Sequence, residues 1–273
     1  MLSLEQGNQL IKDAIVSKKP FSVARLGMHE MDLFYRVVND HGITKGDIMQ
    51  LNSFGGVYGD CLSEFIEIYL HSTTTADIHC YWADCGLDLK QENFFSKVSP
   101  NSPKVPHRTV EPFHIKNPWS QLLKDKKVLV INSFPETIKH QYPKRDQIWG
   151  DKQVLPKFDL IVYKSVQSIG DLNPHGSWVE SLNVMKKDIS DIDFDVALLG
   201  CSTYGLPLVD FIRNHLNRSA IYVGGAIQIL FGIKGKRWDA HDEISSFFNE
   251  HWVRPFDNER VRNYQILEGG CYW

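Results

Sequence analysis

The 273-residue chain has no long apolar run. Its most hydrophobic stretch, AIQILFGI at 226–233, falls far short of the roughly 20 residues of a membrane span. The first residues, MLSLEQGNQLIKDAIVSKKP, alternate apolar and polar side chains and lack the unbroken apolar centre of a secretion signal. Charge of one sign is also missing: 30 Lys and Arg stand against 33 Asp and Glu, a formal net charge of -3. A global basic field of the nucleic-acid-binding kind is therefore excluded, and any anion site must be local. The five cysteines (61, 80, 85, 201 and 271) are odd in number and scattered, which fits reduced thiols and not a disulfide framework. His79, Cys80, Asp84 and Cys85 lack the spacing of a zinc site. These absences predict a cytoplasmic protein, peripheral at most on the inner membrane face, with no nucleic-acid partner.

What is present is the rhythm of an α/β chain. Residues 3–18 read as a helix, with Ser3 and Gln6 as a capping box. FSVARLG (21–27) reads as a strand and HEMDLFYRVV as the next helix, then comes a helix with Leu62, Phe65, Ile66, Tyr69 and Leu70 on one face, and then a strand at ADIHCYWA. Prolines at 100, 103, 106, 112 and 118 predict an irregular connection over about 86–118. Beyond it, KKVLVINSF, FDLIVYKSV, FDVALLGCS and SAIYVGG read as buried strands. Helices alternate with them, one opened by a capping box of Ser133 and Glu136 and another, over about 177–190, by Ser177 and Glu180. The expectation is a Rossmann-like, mostly parallel sheet with helices on both faces and an N-terminal α/β lobe. It is either one domain over 1–273 or two lobes, 1–118 and 119–273. An aromatic- and arginine-rich tail from His241 onward is expected to pack on the body.

In such a sheet ligands bind at the carboxyl ends of strands, and three stretches fall there. In ARLGMHEMD, Arg25 ends a strand, Gly27 turns the chain, and His29, Glu30 and Asp32 open a helix. The acids either complement the helix dipole or supply acid/base chemistry beside a phosphate held by Arg25. In GCSTYGLP, Gly200 and Gly205 flank a turn whose N–H groups suit a phosphate, while Ser202 or Thr203 reads first as a helix cap. The spacing matches neither a dinucleotide fingerprint nor a P-loop, and Tyr204 stands where a nucleophile elbow needs glycine. In VGGAIQILFGIKGKRW, Gly224 and Gly225 bare the backbone and Gln228 can bind a base or sugar. Lys234, Lys236 and Arg237 form either a cationic loop suited to clamping an anion or a solvated basic loop beside glycines that serve close helix packing. Trp238 could cover a ring, though core packing is the commoner role of tryptophan. His107, His114, His140 and His175 stand isolated and read as packed or surface residues.

FSVARLGMHEMDLF near one end, with FDVALLGCSTYGLPLVDFI and AIYVGG near the other, resembles the bacterial GT-D type glycosyltransferases of polysaccharide biosynthesis. In that family an Arg-x-Gly-Asp-Gly-Glu stretch follows an early strand, and its Asp-x-Glu engages a metal and the diphosphate of a nucleotide sugar. Arg25, Gly27 and Glu30 match that motif here, but Met28 stands at the aspartate position and His29 at the second glycine. The resemblance implies a nucleotide-sugar donor and a surface-polysaccharide or lipid-linked glycan acceptor. Glu30, His29 and Asp32 become the catalytic candidates. Arg25, Gly27, Gly200, Ser202, Tyr204, Gly205, Gly224, Gly225, Gln228, Lys234, Lys236 and Arg237 become the donor and phosphate contacts. With the acidic pair lost, a divalent metal (Mn or Mg) has no assigned ligands and no cofactor is firmly implied. The alternatives are another nucleotide-dependent group transferase, phosphoryl or methyl, or a non-catalytic nucleotide- or glycan-binding protein.

Overall fold

The computed structural model describes residues 1–82, 86, 88–168 and 173–273. Asp84 and Cys85, weighed above as metal ligands, lie outside the described residues. Seven strands make one parallel sheet: β1 (Ser22–Ala24), β2 (Ile78–Tyr81), β3 (Lys104–Pro106), β4 (Lys127–Asn132), β5 (Asp159–Lys164), β6 (Val196–Gly200) and β7 (Ser219–Tyr222). Their order is β3-β2-β1-β7-β6-β4-β5. The Rossmann-like α/β expectation holds. One seam joins the two halves of the chain: Ser22 and Val23 pair with Ala220 and Ile221.

Apolar alternation along the strands builds a core on each side. Val128 and Val130 of β4 point to one face, Leu129 and Ile131 to the other. The first face is covered by α1 (Leu4–Val16), α6 (Pro135–Gln141) and α7 (Arg145–Trp149), and by α10 (Ile227–Leu230). The second is covered by α2 (Met28–Val38), α4 (Leu62–Thr75) and α5 (Asp88–Val98), and by α8 (Trp178–Ser190) and α9 (Gly205–Asn214). A short α3 (Lys45–Gln50) runs into a π-helical turn, Leu51–Gly55. Steps toward β3 cross on the second face and the step from β4 to β5 crosses on the first, as a single crossover hand requires. Chains leaving β6 and β1 therefore turn to the second face, while those leaving β4 and β7 turn to the first. Crevices open between such neighbours at the carboxyl edge.

Two expectations are corrected. Residues 86–118 are not one irregular connection: α5 and β3 lie within them. Pro106 is tolerated because β3 is an edge strand, where a missing N–H breaks no ladder. Ser133 does not cap α6, whose N-cap is Phe134 without a side-chain bond. The carboxylate of Glu259, in the tail, accepts instead from the Glu136 N–H at 2.7 Å and the Thr137 N–H at 3.1 Å, and binds the Thr137 hydroxyl. The Ser3–Gln6 capping box and the Ser177 cap form as read. No helix among the described residues is long and apolar enough to cross a membrane. Cys61, Cys80, Cys201 and Cys271 are free and buried; burial pushes the Cys80 thiol up to about 12, which leaves it inert as a nucleophile.

Candidate functional site

A cavity of about 580 Å³ opens at the carboxyl ends of β1, β7, β6 and β4. Its floor is made where those strands stop: Arg25 after β1, Gly224 and Gly225 after β7, Gly200 at the end of β6 and Asn132 at the end of β4. Asn132 Nδ2 donates to the Gly200 carbonyl at 2.7 Å and ties two strand ends together.

Arg25 is fixed by three surfaces. Its Nη1 donates to the Val223 carbonyl at 2.8 Å, and its guanidinium carbon lies 4.8 Å from the Trp82 ring centroid and 5.8 Å from that of Tyr222. It also packs on Gly224, which has φ +72°; a Cβ there would stand 2.5 Å from Nη1. Glycine is thus required twice, by conformation and by the guanidinium against it. Gly27 is the N-cap of α2, and a Cβ there would collide with the Glu30 carboxylate folded back over it. Burial raises the Glu30 carboxyl above its ordinary value, against the opposing pull of its own backbone N–H, His29 and Arg25. His29 is exposed at the mouth and stacks on Phe54 at 5.2 Å.

Other expected residues divide. Ser202, at φ +53°, lines the cavity, but its hydroxyl donates to the Phe54 carbonyl and does not cap a helix. Thr203 likewise donates to the Gly55 carbonyl at 2.9 Å and accepts from Trp178 Nε1. These hydroxyls reach across the chain to the π-helical turn, so neither is left for α9, which starts uncapped. Tyr204 is buried, stacked on Trp178 and bonded to Ser168; Gly205 packs under the Tyr222 ring. Neither lines the cavity. Asp32 also lies off it, paired with Lys90 and Arg36.

The cationic loop is split in the same way. Arg237 and Trp238 line the cavity, whereas Lys234 and Lys236 do not. Lys234 Nζ sits 5.4 Å from the Phe248 ring, and Lys236 Nζ reaches the Gly269 carbonyl at 3.4 Å. Arg237 pairs with Glu268 at 2.5 Å and lies over the Tyr272 ring at 4.7 Å. Gln228 is fully buried; its Nε2 donates to the Tyr272 carbonyl at 2.9 Å, and its Oε1 has no protein partner. An acceptor left over in a cavity wall is a group a ligand donor can satisfy.

Sequence reasoning missed the opposite wall. His107, Arg108, Glu111 and His114 come from consecutive 3-10 turns after β3 and line the cavity. His107 stacks on Trp82 at 4.3 Å. Glu111 Oε2 lies 3.2 Å from His114 Nε2, and His114 Nδ1 lies 2.7 Å from Glu243 Oε1. Burial alone would raise Glu111, but the His114 hydrogen bond and the charges of His107 and Arg25 hold it below its ordinary value. No sequence signal was available, because His107 and His114 gain their partners only through folding. Among the described residues no three His, Cys, Asp or Glu side chains are grouped to hold a metal ion. With Met28 at the aspartate position of the resembled motif, the residues present do not supply the dicarboxylate pair a divalent metal would need.

Fold and cavity together define a parallel α/β protein with an arginine-bearing cavity at its strand ends. No family model matches the chain, and no curated protein does. A solved structure described as the selenomethionine-substituted structure of domain of unknown function 1792 (DUF1792) is similar over 94% of this chain and 91% of its own, with 16% identity and a TM-score of 0.45.

Proposed function

We propose that the protein is a glycosyltransferase that moves a sugar from a nucleotide-sugar donor to a surface-polysaccharide or lipid-linked glycan acceptor. The observation that carries this reading is convergence: Arg25, Gly27 and Glu30, which match the early motif, share one cavity with Gly200, Ser202, Gly224, Gly225 and Gln228 from the other half of the chain. Arg25 and the bare backbone at Gly224 and Gly225 suit the donor diphosphate. Arg237 adds a second cation once a ligand anion takes the place of Glu268. Trp238 and Tyr272 offer aromatic faces to a base or sugar, and Gln228 holds an unpartnered acceptor buried in the wall beside them. In the transfer the acceptor oxygen bonds to the anomeric carbon, the bond from that carbon to the donor phosphate breaks, and its electron pair leaves with the diphosphate. Preorganised guanidinium groups stabilise that leaving charge.

A thermal-shift panel tests the reading. Stabilisation by a UDP-, GDP- or CMP-linked sugar, with and without EDTA, is the expected result, and Arg25→Ala abolishes it. Response only to ATP or to S-adenosylmethionine points to phosphoryl or methyl transfer instead. A sugar nucleotide that binds but is never hydrolysed points to a binding module.

A further inference from the structure

Three carboxylates line the cavity; Glu268 is paired with Arg237, and the surroundings of the other two differ. Glu30 is folded over its own helix start, where Gly27 leaves room for it. Glu111 stands on the other wall, its side chain 15% exposed, at the inner end of a chain of contacts. That chain runs from Glu111 to His114, 5% exposed, and on to Glu243, which is 43% exposed. Arg108 holds the second Glu243 oxygen at 3.3 Å. Both imidazole nitrogens of His114 are thus engaged by carboxylates, so the ring is locked in orientation and Glu111 is held from outside the cavity through it.

We propose that Glu111 accepts the proton of the acceptor hydroxyl and that His114, itself held by Glu243, orients Glu111 and keeps it ionised; this rests on the glycosyltransferase reading. As the acceptor oxygen bonds to the anomeric carbon, its proton goes to Glu111. Until that bond forms, the His114 Nε2–H donates to the Glu111 carboxylate and keeps it ionised, and after transfer the protonated Glu111 returns its proton to solvent water as the products leave the cavity. Glu111 is the catalytic residue and His114 and Glu243 are positioning residues. The two carboxyls are pushed in opposite directions, Glu30 up by burial and Glu111 down, against its burial, by the His114 hydrogen bond and the charges of His107 and Arg25. The charged and titratable groups around this chain of contacts are Arg25, His107 and Arg108, with Lys152 acting on Glu243.

The test is hydrolysis of UDP-glucose, GDP-mannose and a CMP-linked sugar, followed as nucleotide release, with binding measured in parallel. Glu111→Gln is expected to keep nucleotide binding and to lose about 100-fold or more in turnover. Glu243→Gln is expected to move the acid limb of the kcat profile to higher pH, because removing its charge weakens the hold of His114 on ionised Glu111. Wild-type hydrolysis that persists in a folded Glu111→Gln protein overturns this inference and leaves the parent reading standing. If Glu111→Gln does not fold, an unchanged pH profile in Glu243→Gln overturns it equally. Wild-type protein that neither binds nor hydrolyses any of these donors overturns the parent reading and the inference together.

Discussion

At Glu259 a single carboxylate, only 6% exposed, satisfies two helix N–H groups and a hydroxyl at the start of α6. Glu259→Ala leaves those donors buried and unpaired, and urea unfolding should show a loss of about 2–3 kcal/mol, with a smaller loss in Glu259→Gln. The contrast with Ser3 explains what can be read locally. The Ser3–Gln6 box closes within four residues and is visible in the sequence, whereas the cap of α6 comes from a residue over a hundred positions away. Gly224 makes a second residue-scale case. Gly224→Ala combines a left-handed φ, at roughly 1–2 kcal/mol, with displacement of Arg25. Calorimetry should find UDP-sugar binding weakened by about tenfold or more, while Arg25→Lys, which loses the planar contact on Trp82, weakens it less than Arg25→Ala.

Among the elements, the helices and buried strands of the sheet were legible because their periods are strong, and Arg25, Gly200 and Gly224 were placed by one rule about strand ends. The 3-10 turns carrying His107, Glu111 and His114 have no period, and their prolines masked both α5 and the β3 edge. Half of the GCSTYGLP stretch was misread for a related reason. Ser202 and Thr203 have the chemistry of caps, but the folded chain offers them the backbone of the π-helical turn, and a neighbouring element wins over a local one. Thr203 is the main pin, since it also accepts from Trp178 at 2.9 Å. Thr203→Val should lower stability by about 1–2 kcal/mol, and amide exchange should speed up at residues 54–57 before the sheet loosens.

Over the whole molecule, acid should weaken the fold through His79. Its ring is fully buried in β2, and burial foremost, with the nearby Lys104 charge, lowers it to about 4. The folded state then binds the proton less readily than the unfolded chain, whose histidine titrates near 6.5. The stabilisation is complete above that value and is lost as pH falls toward 4, with a slope of about 1.4 kcal/mol per pH unit from this group. His79→Gln should flatten the stability profile in that window. The seam between β1 and β7 has a consequence in time. Its partners lie almost two hundred positions apart in the chain, so the pairing that brings Arg25 beside Gly224 closes a very long loop and belongs to the slow part of folding. Refolding protein should regain helical signal well before it regains nucleotide binding, and the delay between the two measures how late the centre of the sheet is joined.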